Sequence, residues 1–228
     1  MVAAFGELTA GPVLPRLRDK MLASEEGRAI LKERPRINTH TVDMDALSNL
    51  PEGTFGRAYI TWLERCGVTP DTRAPVRSPY LRPKRLRISL VSQVHYIDDP
   101  ELAYVMQRYR ECHDLYHCIT SMPVRVEYEI VVKAFEFANL GLPMTGLAAI
   151  GAPFKLSTVK QDRLKQFVPW ALRCGGSARS LITVYWERRW DQDVEELKRE
   201  LGIWDPPPAV WGKPLKQTAS APARQGGL

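Results

Sequence analysis

Apolar residues recur along this chain at helical spacing, and glycine or proline closes each run. A first helix is expected over residues 14–33, stopping before Pro35. The turn-rich stretch "NTHTVDMDALSNLPEGTFG" leads to a second helix from about Pro51, with Tyr59, Trp62 and Leu63 on one face and Gly67 as its stop. Asp98 and Asp99 precede Pro100, a good cap followed by proline at the first helical position, so a third helix is expected over 100–120. Ser121 and Pro123 restart a helix over 123–140, ended by Gly141. Two more are expected over 156–173, ended by Gly175 and Gly176, and over 179–201, ended by Gly202. Strand patterning is scarce, with "RISLVSQVHYI" the one candidate, and there are no internal repeats. The pattern predicts an all-α, single-domain bundle of about six to eight helices over residues 1–204, with a disordered Pro/Gly/Ala-rich tail over 205–228.

Length and composition change this picture little. A chain of 228 residues, 44% hydrophobic and 25% charged, suffices for one sizeable core of a soluble or peripheral protein. No run reaches the roughly 20 apolar residues needed to span a bilayer. The nearest, "ANLGLPMTGLAAIGAPF", is short and broken by glycine and proline. The start of the chain has no secretory h-region and is weak as a transit peptide. The formal charge of +6 suits an anionic partner such as acidic lipid headgroups, a carboxylate or a phosphate. Four of those charges, Arg82, Lys84, Arg85 and Arg87, lie in a basic inserted loop over 78–94 that has no acid; +6 less four leaves +2. In "YWERRWD", Glu187 and Asp191 offset the arginines, so a nucleic-acid partner is not expected; a helix with Trp186 and Trp190 inward fits better. Cys66, Cys112, Cys118 and Cys174 form no C-x-x-C pair and read as mostly buried thiols of a reducing compartment; Cys112 and Cys118 flank the histidines described next, but burial as small hydrophobes is preferred to a thiolate ligand.

The chemistry concentrates in "ECHDLYHCIT". His113 and His117 stand at i and i+4, sharing one helix face about one turn apart, a spacing that lets two imidazoles grip one ion. Asp114 follows His113 and can be a third ligand, an orienting group or a base. Across the turn near Ser121, Glu129 lies as many residues beyond it as His113 lies before it, so an antiparallel hairpin levels the two, whereas Glu127 points elsewhere. Arg108 and Arg110 are candidates to pair with Asp114 or a substrate carboxylate, with at least one of them at the surface.

"HDLYH", eleven residues, then Glu129 resembles the H-D-x-x-H-x(11)-E signature of the Coq4 family of coenzyme Q (ubiquinone) biosynthesis. "PELAYVMQRYRECHD", "SMPVRVEYEIVVKAFEFANLGLPM", "FVPWALRCG", "YWERRWDQDVEELKRELGI", "LPEGTFGRAYITWL" and "VTPDTRAPVR" resemble it too, so the likeness covers about residues 2–203. It implies an all-helical fold, with His113, Asp114, His117 and Glu129 as ligands of zinc. It implies oxidative decarboxylation at ring carbon 1 of a 4-hydroxy-3-methoxy-5-polyprenylbenzoate, and organisation of the other coenzyme Q enzymes in a multisubunit complex, with room for a homo-oligomer. It also implies a peripheral position on the matrix side of the mitochondrion inner membrane, an anionic surface. The chain departs from the family pattern in starting inside the domain, in its 78–94 insert and in its tail.

Asp114 then either completes the metal shell or handles the proton. Because zinc does no redox chemistry, Fe2+ is the alternative ion for an oxidative reaction. The helix from Pro123 and "NLGLPMTGLAAIG" are candidates for a prenyl slot. The competing function is a non-catalytic prenyl-lipid-binding scaffold with a structural ion. A weaker one, a phosphohydrolase of the HD type, needs His95 and Asp162 as further ligands.

Overall fold

The structure is a computed structural model that describes residues 2–70, 97–151, 153 and 156–208. The basic insert over 78–94, the strand candidate before Ile97, His95 and the tail beyond residue 208 lie outside the described residues. Those described form an all-helical single domain: α1 (Val2–Ala10), α2 (Leu14–Ala23), α3 (Glu25–Glu33), α4 (Met44–Ser48), α5 (Phe55–Cys66), α6 (Pro100–Ile119), α7 (Val126–Leu140), α8 (Pro143–Gly151), α9 (Thr158–Ser177) and α10 (Val194–Leu201). Two single-turn 3-10 helices, Leu181–Thr183 and Trp186–Arg188, join α9 to α10.

The count exceeds the six to eight expected, for local reasons. The stretch over 14–33 is two helices, because Ser24 takes an extended backbone and its hydroxyl accepts from the Gly27 N–H as an N-cap. A Cβ on Gly27 would lie 2.2 Å from the Met21 carbonyl oxygen, so only glycine lets α3 turn back this closely on α2. The stretch over 179–201 is helical only from Val194. Before it, tertiary bonds override propensity: the Gly56 N–H donates to the Trp190 carbonyl at 2.7 Å and the Phe55 N–H to that of Gln192 at 2.8 Å. Trp186 is fully buried and Trp190 stacks on Phe55 at 5.6 Å, so the aromatics face inward as expected, from 3-10 and turn backbone rather than from a helix.

The helices that carry the site follow their signals closely. Asp99 caps α6, its carboxylate accepting from the N–H groups of Glu101 and Leu102. Gly141 ends α7 at φ 74, a conformation that suits glycine. Between them the chain turns within a few residues through Ser121, a non-glycine at φ 57. The turn is pinned from outside: the indole N–H of Trp62 on α5 donates to the Met122 carbonyl at 2.8 Å. α6 is buried on almost every side, which makes it the central strut of the bundle. α7 packs on it and is backed by α9, where Gly175 lets the helices close: a Cβ there would lie 2.4 Å from the Phe135 carbonyl oxygen. That contact keeps Gly175 inside α9, which runs on to Ser177 through Pro169.

Candidate metal centre

His113 and His117 are fully buried on the face of α6 that meets α7. Their Nε2 atoms face each other at 3.1 Å. Glu129, on the first turn of α7, brings one carboxylate oxygen to 3.4 Å from His113 Nε2 and the other to 3.2 Å from His117 Nε2. These three residues offer donor atoms that all lie within 4.8 Å of one another. The hairpin therefore levels Glu129 with the histidines as its residue count predicts. Glu127 points away, to Lys160 at 3.1 Å and Arg163 at 3.3 Å.

The other ring nitrogens fix what the inner ones present. His117 Nδ1 lies 3.2 Å from the Met122 carbonyl, which can only accept, so the proton sits on Nδ1. His113 Nδ1 makes a short contact with the Glu136 carboxylate, with the Lys133 ammonium 3.0 Å away; the carboxylate can only accept, so the proton sits on Nδ1 here too. Both Nε2 atoms are then lone pairs, aimed at each other and at a carboxylate. Four electron-rich atoms converge with no hydrogen to share, an arrangement a cation relieves. Two neutral imidazoles and a carboxylate with room for further ligands suit zinc or ferrous iron.

The electrostatics agree. Burial lowers the His117 pKa, and the neighbouring His113 lowers it further against the opposing pull of Glu129, which favours the neutral, ligand-ready ring. Burial pushes the Glu129 carboxyl up, but the influence of the His113 and His117 rings beside it outweighs this and holds it well below the usual carboxylate range. Glu129 is also the open side of the cradle, with 35% of its side chain exposed against 1% and 0% for the two histidines.

The other expected residues divide. Asp114 is partly buried and is not among the three converging donors; its charge is felt at His117. Cys112 and Cys118 are buried free thiols outside the donor set, and burial raises the pKa of Cys112 to about 12. Arg108, one of the two arginines offered for pairing with Asp114, has no exposed side-chain surface and forks onto Glu187, while Arg110 pairs with Glu7 at 2.9 Å. Asp162 is exposed on α9 with Lys165 at 2.8 Å, away from the histidines, so the phosphohydrolase reading loses its downstream aspartate.

Glu136, Lys133 and Tyr109 escaped the sequence reading. Lys133 Nζ donates to Glu136 at 2.7 Å and to the Tyr109 hydroxyl at 3.1 Å; that hydroxyl donates to Glu136 at 2.9 Å. The signal was present as spacing: Tyr109, His113 and His117 repeat every four residues on α6, and Glu129, Lys133 and Glu136 share a face of α7.

The fold and cradle define a class: an all-helical protein whose central hairpin holds a two-histidine, one-carboxylate donor set open on one side. The chain belongs to the family described as "Coenzyme Q (ubiquinone) biosynthesis protein Coq4", whose model matches residues 1–207. It is 63% identical over 226 residues to the mitochondrial ubiquinone biosynthesis protein COQ4 of Coprinopsis cinerea, covering 99% of this chain and 72% of the relative. It is 62% identical to the protein of that name from Laccaria bicolor, over 98% of this chain and 70% of that one. A crystal structure from Nostoc punctiforme, of a protein whose given name refers to ubiquinone biosynthesis, shares the fold with a TM-score of 0.63 at 21% identity, over 88% of this chain and 86% of that one.

Proposed function

We propose that this chain serves coenzyme Q biosynthesis by removing the ring carboxylate at carbon 1 of a 4-hydroxy-3-methoxy-5-polyprenylbenzoate, at a divalent metal held by His113, His117 and Glu129. The observation that carries the reading is the convergence of the His113 and His117 Nε2 atoms on the Glu129 carboxylate, with the open side at Glu129. A bound divalent ion supplies positive charge that draws the substrate's carboxylate or phenolate oxygen and stabilises the charge entering the ring as carbon dioxide leaves.

The chain's own residues do the rest. His117 stays neutral and fixed by the Met122 carbonyl, while Glu129 stays ionised. Asp114, beside His113 in sequence, completes the donor set or handles the proton. The version that leaves a hydroxyl at carbon 1 needs dioxygen as oxidant, which favours Fe2+ over the redox-inert Zn2+. The prenyl tail runs over α7 and α8, where Phe137, Leu147 and Ile150 are exposed. Those residues also suit a peripheral seat on an anionic membrane, and no helix among the described residues is long and apolar enough to cross one. The names of the fungal relatives support a mitochondrial location, and we assign the protein to the matrix side of the inner membrane among the other coenzyme Q enzymes.

The test is carbon dioxide release from the polyprenylbenzoate by protein loaded with Zn2+ or Fe2+, with Glu129→Ala as the variant. A folded Glu129→Ala protein that loses activity at least a hundredfold supports catalysis. Full activity in that variant refutes it. Unfolding of that variant, with the wild type inactive under either metal, favours the non-catalytic scaffold.

A further inference from the structure

Glu136 has no exposed side-chain surface. A carboxylate taken that far from water is costly unless every oxygen finds a donor. Three donors surround it: His113 Nδ1 on one oxygen, and the Lys133 ammonium and Tyr109 hydroxyl on the other. An apolar side chain would fill the same space more cheaply, so a buried carboxylate here calls for a role.

Its placement supplies one. Glu136 meets the ring nitrogen of His113 that faces away from the cradle. Holding the proton on Nδ1 forces the lone pair onto Nε2, aims it at Glu129 and His117, and makes the ring a stronger electron donor. His117 has only the neutral Met122 carbonyl on its Nδ1. The two imidazoles are therefore not equivalent.

The geometry points to Glu136 as a positioning residue that sets the tautomer and donor strength of His113, with Lys133 and Tyr109 clamping its carboxylate. Lys133 is the partly open member, 17% exposed, one turn along α7 from Glu129. Its ammonium also lies 5.6 Å from the centre of the Tyr109 ring, so the clamp is braced on both sides. The inference rests on the metal reading of the cradle.

Two measurements on the full chain test it. In the first, Zn2+ affinity is read by competition with a chelating indicator. Glu136→Gln, which keeps an acceptor oxygen but no charge, should raise the Zn2+ Kd about 10–100-fold, as loss of such a partner does elsewhere. Tyr109→Phe should raise it less. The second needs no metal: in the NMR spectrum of the metal-free protein, the His113 Nδ1 proton should appear far downfield and move upfield in Glu136→Gln. A merely structural role moves neither reading. Should Glu136→Gln fail to fold, Tyr109→Phe and the wild-type resonance carry the test. A Zn2+ Kd unchanged within twofold in folded Glu136→Gln overturns the inference, as does a wild-type His113 protonated on Nε2 alone. A wild-type protein that binds no Zn2+ sinks the metal reading instead, and the resonance then decides alone whether Glu136 sets the tautomer.

Discussion

Glu187→Gln should destabilise the protein severely although Glu187 is not one of the cradle's donors. The Arg108 guanidinium has no exposed surface, and both of its terminal nitrogens bond the Glu187 carboxylate. One of them also reaches the Val184 carbonyl at 3.3 Å, and Nε has no partner. The glutamine cannot balance the buried charge. Removing one partner of a buried pair costs about 3–5 kcal/mol. The Glu187 side chain is 18% exposed, so water reaches one end of the pair, and the cost falls to about 2–4 kcal/mol. For a chain of this length that is about 4–16 °C in Tm. Urea denaturation with an unchanged slope is the assay, since a shift of midpoint alone then reports stability. The double variant Arg108→Met/Glu187→Leu removes charge and desolvation together and should recover most of the loss. A cost below about 1 kcal/mol for Glu187→Gln, or a double variant as unstable as the single, would refute the reasoning.

Three further expectations follow from other contacts. Gly27→Ala should destabilise by about 1–3 kcal/mol in the same assay, because its Cβ meets Met21 backbone atoms at 2.2 and 2.5 Å and overpacking outweighs the gain in helix propensity. Glu26 is opposed by burial, but the Tyr185 N–H, Arg179 and Arg189 hold its folded pKa below 4.5, so its contribution to stability is present above that pH and lost as pH falls through the folded value; the stability gap between wild type and Glu26→Gln should narrow below pH 4.5, and a gap that widens there would contradict it. Zn2+ at a hundred times its Kd should stabilise the wild type by about 2.7 kcal/mol, read as a rise in Tm that a chelator reverses and that is absent from His117→Ala.

The sequence carried the site better than its surroundings. Glycine and capped-proline signals bounded α5, α6 and α7, and helical geometry alone levelled Glu129 with His113. What it could not carry depended on contacts between distant segments. The break at Ser24 is a local exception, set by the Ser24 cap and by Gly27 closing on the Met21 backbone. The non-helical backbone at Trp190 and Gln192 is tied down by bonds from Gly56 and Phe55, far away in the chain. The sequence offers Arg108 as a partner for Asp114 or a substrate carboxylate because its actual partner, Glu187, stands 79 residues on. Glu136 was hidden inside an otherwise apolar run, where an acid reads as one polar position of a helix until His113 is found against it.

The chemistry proposed for the cradle requires a metal ion on the hairpin. The measurement that tests it most directly is metal content per chain by mass spectrometry, on protein purified anaerobically without a histidine tag, with His117→Ala alongside. Close to one zinc or iron ion per chain is expected, lost in the variant, with the element found deciding between the two chemistries. A folded wild-type protein that carries no metal and takes up none when offered Zn2+ or Fe2+ would contradict it.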